Sequence, residues 1–158
     1  MMRGMQPAIQ QLVFPQRVAL GDGAAASLGA LLGEQAGGPV LLVADAVLGE
    51  RLAPLTMSLR DAGFELDVFA EVRAEPTVAL AEEVRGRART RRYGHVVGVG
   101  GGSAMDLAKV SAALCADPDV PLSALATGAA LAACAPLALV PTTAGTGAEA
   151  TVIAMLFG

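Results

Sequence analysis

One junction constrains this chain more than any other. The strand predicted over His95–Val99 runs without a break into Gly100-Gly101-Gly102-Ser103, and a helical pattern opens at once, with Met105, Ala108, Ala112 and Cys115 at helical spacing. Asp117-Pro118 ends that helix. Upstream, Val40-Leu41-Leu42-Val43-Ala44 is a continuous apolar run, as expected of a strand covered on both faces, and it stops at Asp45. A helix is predicted over about Leu52–Ala62, with Leu52, Leu55 and Leu59 on one face and Gly63 as its stop. Phe64 to Phe69 alternates, Phe64, Leu66 and Val68 against Glu65 and Asp67, and reads as a half-exposed strand. Thr77 is placed to cap a helix over about Val78–Arg92, and a last strand, Leu137–Val140, runs into Pro141–Gly147. Before all of these, Gln11–Leu20, interrupted by Pro15, reads as an edge strand or ribbon. Asp22 is then the expected cap of a helix from Ala24 to about Gly33. No internal repeat is visible. Strands alternating with helices across short turns imply an α/β fold, a parallel sheet with helices on both faces.

Ligand sites in such sheets lie at the carboxyl ends of the strands. Four polar or glycine-rich clusters fall there, namely Asp45, Glu75-Pro76, Gly100–Ser103 and Thr142–Gly147. They are scattered in sequence but would gather along one rim. At the triple glycine no Cβ intervenes between backbone and ligand. The first N–H groups of the following helix favour an anion, and Ser103 adds a hydroxyl, so a phosphate or pyrophosphate is the expected ligand group. Asp45 could accept hydrogen bonds from ribose hydroxyls or equally cap a helix. Thr142, Thr143 and Thr146 supply hydroxyls for a phosphate, a ribose or a carboxamide. The usual dinucleotide fingerprint places its acidic residue after the glycines, whereas here Asp45 precedes them.

Other readings are excluded or set aside on composition. The 158 residues suit one domain. Hydrophobic residues are 54% and charged residues 16%, which excludes intrinsic disorder. A net charge of −4, no Trp and one Tyr argue against nucleic acid as a partner. The basic run Arg85–Arg92 reads as a solvated helix end pairing with Glu82 and Glu83. Cys115 and Cys134 lie in apolar runs and are expected to be buried free thiols of a reducing, cytoplasmic compartment. The amino terminus lacks an apolar signal core, and the uncharged stretch between Asp119 and Glu149 is interrupted by Pro121, Pro136 and Pro141. No membrane partner is therefore expected. His95, the only histidine, starts a strand away from the rim and is expected to be structural. No complete metal site and no nucleophile triad can be drawn.

Taken together, GGGSAMDLAK at 100–109 and PTTAGTGAEAT at 141–151 resemble the iron-containing, or group III, alcohol dehydrogenases, in that family's order and spacing. The strand ending in Asp45 and the Pro76-Thr77 pair fit as well. The resemblance implies a Rossmann-like cofactor domain of the dehydroquinate synthase type over residues 1–158, binding NAD in preference to NADP. It implies that Gly101, Gly102 and Ser103 form the pyrophosphate turn and that Asp106 lies next to the cofactor. Thr142, Thr143 and Thr146 would contact the cofactor too, and Asp45 would contact the adenosine ribose. The family's divalent metal, often iron, is held by a helical domain that would follow Gly158. No catalytic residue and no metal ligand is therefore expected within the chain, and by itself it is expected to be inactive. The implied partners are a small alcohol or carbonyl substrate and further copies of the protein, as a homo-oligomer. Glu75 stands where the family often has Asn, and Ala148 where it usually has Ser; the apolar ending Val152–Gly158 is expected to be exposed. Maleylacetate reductase, glycerol dehydrogenase and dehydroquinate synthase share the scaffold and are the enzymatic alternatives. A non-catalytic nucleotide-binding fragment is the alternative of another class.

Overall fold

The computed structural model describes residues 17–33, 37–126 and 133–158. Its centre is a four-stranded, all-parallel sheet in the order β2-β1-β3-β4, with β1 Val40–Asp45, β2 Leu66–Val72, β3 His95–Gly100 and β4 Leu137–Pro141. The helices are α1 Leu28–Gly33, α2 Ala53–Asp61, α3 Val78–Thr90, α4 Gly102–Ala116 and α5 Leu122–Ala126. Val40 to Val43 and Ala44 are wholly buried because both faces of β1 are covered. Leu42 and Ala44 join Leu28, Leu52, Leu55 and Leu59 in one cluster, under α1 and α2. Leu41 and Val43 join Ala81, Val84, Leu107 and Ala108 in the other, under α3 and α4. Gly98 sets the depth of α4 on the sheet. A Cβ there would lie 2.5 Å from that of Ala108 and 2.9 Å from Leu139 Cδ2.

The parallel α/β architecture, the cap by Thr77 (Leu80 N–H to Oγ1, 3.3 Å) and the end of α4 at Asp117 agree with the sequence reading. Several expectations are corrected. Of the predicted strand Gln11–Leu20, residues 11–16 lie outside the described residues, and 17–20 are exposed with no regular structure. Asp22 caps nothing; Gly23, in the left-handed region at φ 75°, precedes a 3-10 turn over Ala24–Ser27 that leads into α1. The region around Leu52 starts earlier, as a 3-10 segment from Ala46, with Leu52, Leu55 and Leu59 buried as expected. β2 is not simply half-exposed. A register shift against β1 brings both Phe69 and Val72 onto the α3/α4 face, while Val68 on the opposite face stays 39% exposed.

The basic run is a solvated end only in part: Arg89 and Arg92 are exposed and Arg85 pairs with Glu82 as expected, but Arg85 itself is not solvated. Arg85 is buried, with Nε on Glu82 (2.9 Å) and Nη1 on the carbonyls of Pro118 and Val120. Arg87, Arg89 and Arg91 pair with Asp67, Asp119 and Glu65, so the run stitches α3 to its neighbours. Of the two thiols expected to be buried, Cys134 is exposed, because it lies in coil ahead of the edge strand β4. Cys115 is half-buried, and burial pushes its thiol up to about 12.

Candidate functional site

The chain steps from β1 outward to β2, then returns across β1 to lay down β3 on its other side. The strand order therefore reverses between β1 and β3, and a crevice opens at their carboxyl ends, as the geometry of doubly wound sheets requires. Asp45 ends β1 and Gly100 ends β3. Gly100 has φ +149°, and a Cβ there would fall 2.8 Å from those of both Asp45 and Ala104. Only glycine fits this corner. Its carbonyl accepts the Thr142 amide at 2.9 Å, which ties the β4 loop to the same crevice. Asp45 accepts the Val47 amide at 3.4 Å, so it serves as a cap as well as standing at the rim.

α4 begins at this crevice with Gly101 at its N-cap and no side chain bonded to its first N–H groups. Thr143 and Thr146 stand over it. Ideal Cβ atoms at Gly101 and Gly102 would come 3.3 Å from Thr143 Oγ1 and Thr146 Cγ2. Uncapped amides, a positive helix end and hydroxyls on the facing loop make a corner chemically suited to an anion, and side chains on either glycine would narrow it. Gly102, Ser103, Asp106 and Thr146 continue into a cleft of about 290 Å³, lined also by Glu75, Pro76, Met155 and Phe157. A second cleft, of about 320 Å³, lies on the α1/α2 face, lined by Leu48, Leu52, Leu55, Val99 and Val140 with Arg51 and Thr142. The structure thus brings Gly101, Gly102, Ser103, Asp106, Thr143 and Thr146 together. It sets Asp45 across the β1–β3 seam beside Gly100 and turns Thr142 toward the second cleft.

Sequence reasoning missed one wall of the first cleft. Residues 151–157 cross α4 as a coil strap. Lys109 Nζ donates to Asp106 Oδ1, Thr151 Oγ1 and the Ile153 carbonyl, and Asp106 Oδ2 accepts the Met155 amide. Phe157 then pairs with the start of α3, accepting from the Val78 amide and donating to Pro76 O. The Asp106–Lys109 spacing of three was a legible helical pair. The strap has no periodic pattern to betray it. Val152, Ile153, Met155 and Phe157 are exposed.

At the opposite end of β3, His95 is buried in edge-on contact with Phe64, and neither ring nitrogen has a partner. Burial pushes its pKa down. It lies far from the crevice, in keeping with a structural role. Among the described residues no group of three or more His, Cys, Asp or Glu could hold a metal ion. Among the same residues no helix is long and apolar enough to cross a membrane.

The model of the iron-containing alcohol dehydrogenase family matches residues 15–157. The chain belongs to that family. It is 33% identical over 154 residues to long-chain-alcohol dehydrogenase 1 of Geobacillus thermodenitrificans, covering 94% of this chain and 39% of that protein. Among solved structures, an iron-containing alcohol dehydrogenase from Thermotoga maritima superposes with a TM-score of 0.80 at 26% identity, over 90% of this chain and 40% of that one. A sulfoacetaldehyde reductase from Bifidobacterium kashiwanohense, solved in complex with NAD+, superposes with a TM-score of 0.75 at 27% identity, over 90% and 38%. The chain spans about two fifths of the length of these relatives. The other enzymes on the scaffold are not favoured by these matches.

Proposed function

We propose that residues 1–158 are the NAD-binding domain of an alcohol dehydrogenase that moves a hydride between an alcohol and its aldehyde or ketone. The observation that carries this reading is the uncapped start of α4, Gly101-Gly102-Ser103, standing at the strand-order reversal beneath Thr143 and Thr146. Three backbone amides and the two threonine hydroxyls of the facing loop suit a pyrophosphate, and the glycines leave it room. Asp45, across the seam, would accept from the adenosine ribose, and its charge would disfavour a 2′-phosphate. Ser103, Asp106 and Thr146 would line the path toward the nicotinamide half, and Thr142 would contact the cofactor from the other side of the rim. The nicotinamide supplies the hydride chemistry; this chain's residues bind and orient it. The family's iron would be held by residues outside this chain, so the chain by itself would not turn over substrate. A small alcohol or carbonyl compound is the partner, in a cytoplasmic homo-oligomer.

Fluorescence titration of the protein with NADH and NADPH tests the reading. NADH is expected to saturate at lower concentration than NADPH. Asp45→Ala should narrow that preference by about tenfold, or roughly 1.4 kcal/mol. Absence of saturable binding by the folded protein would sink the proposal, and an unchanged ratio in Asp45→Ala would remove Asp45 from it.

A further inference from the structure

Lys109 and Asp106 are both nearly buried, with side chains 9% and 15% exposed. An ammonium group has three donors and no acceptor, and out of water it is tolerated only where those donors are matched. Here the match is complete: Asp106 Oδ1 at 3.1 Å, Thr151 Oγ1 at 3.2 Å and the Ile153 carbonyl at 2.7 Å. The second Asp106 oxygen takes the Met155 amide at 3.2 Å. Two residues one turn apart on α4 thus grip three positions of the strap. Apolar packing cannot fix the strap's register alone. Ala154 and Leu156 lean on the core, but Ile153 and Met155 are 69% and 61% exposed. Phe157 is anchored separately by its backbone pairing with Pro76 and Val78, and the polar grip sets the strap between α4 and that anchor, where Met155 lines the cleft with Gly102 and Ser103.

We propose that Lys109 is a positioning residue: with Asp106 it forms a clasp that sets the register of the 151–157 strap and so builds one wall of the dinucleotide cleft. The proposal rests on the reading of that cleft as the cofactor site. The test uses the protein with two readouts, NADH affinity and the rate of native-state thermolysin cleavage within the 151–157 strap. Lys109→Met keeps the apolar stem and removes all three donors. It is expected to speed cleavage at least tenfold and to weaken NADH binding at least tenfold, while the thermal midpoint moves by only a few degrees. Thr151→Val, which removes one acceptor at an exposed position, should move both readouts two- to threefold in the same direction. It carries the test if Lys109→Met does not fold. Unchanged cleavage overturns the clasp. Faster cleavage with unchanged NADH affinity overturns the positioning role and leaves a purely structural one. If the unaltered protein binds no NADH, the cofactor reading fails and the positioning role with it, while the cleavage rates still report whether the strap is held.

Discussion

At its carboxyl end β3 delivers Gly100 to an open crevice where the first amides of α4 have no side-chain cap. At its amino end the same strand seals His95, 1% exposed, with both ring nitrogens unpaired. Both ends leave polar groups unsatisfied within the protein, yet the physical consequences are opposite. At the rim the helix start opens onto a cleft, so leaving the amides uncapped costs the fold little, and they suit the anion proposed for them. At the base the imidazole is buried, so burial disfavours its charged form, and its protonation works against folding. An unpartnered polar group is a site where the surface opens and a liability where it closes.

The largest expected effect breaks the rim end. Gly102→Val would push its side chain into Thr146, whose Cγ2 lies 3.3 Å from an ideal Cβ. NADH affinity should fall about 100-fold, or roughly 2.8 kcal/mol, with the far-UV circular dichroism retained. Retained affinity would mean the amides of α4 are not the anion cradle. Gly98→Ala, midway along the strand, tests whether the two ends share one scaffold. Its Cβ would meet that of Ala108 at 2.5 Å, and overpacking of this kind costs about 1–3 kcal/mol. Denaturant melts should show that loss, and NADH binding should weaken as α4 is lifted off the sheet. The smallest effect sharpens the base end. His95 has a folded-state pKa below its ordinary value, so between pH 6.5 and that lowered value the unfolded chain binds more protons. Stability should therefore decline as pH falls below about 6.5, by no more than about 1.4 kcal/mol per pH unit. His95→Leu should flatten that decline in urea melts run from pH 7.5 to 5; an unchanged slope would assign the acid sensitivity elsewhere.

The two ends also differ in how legible they were. Val40–Asp45 and His95–Ser103 could be read directly, because a strand covered on both faces leaves an unbroken apolar run and a tight strand-to-helix corner demands glycine. The rim cluster followed from placing the polar clusters at the carboxyl ends of parallel strands, with Asp106 added by the family resemblance, and six of the eight proposed contacts lie together around α4. Arg85 was misread because charge in a sequence signals solvent, whereas its partners, the carbonyls of Pro118 and Val120, are 33 and 35 residues away. β2 was misread because a register shift changes which side chains share a face, and no alternation pattern records the partner strand. Asp22 lost its expected role to a neighbouring glycine, whose backbone freedom made the turn without a side-chain cap. The strap was invisible for the same reason as Arg85's partners, being held by bonds between distant positions.

That distance has a kinetic meaning. The βαβ core closes loops whose helices pack as they form, whereas the Lys109–Ile153 bond joins residues 44 apart, across α5 and β4, and its strap end has no regular structure of its own. Loop-closure entropy must be spent before such a contact returns anything. The strap can dock only on an α4 already seated against the sheet. The strap wall of the cleft should therefore open at lower cost than the sheet beneath it, and the Met155 amide is expected to exchange its hydrogen ahead of the amides of β1 and β3.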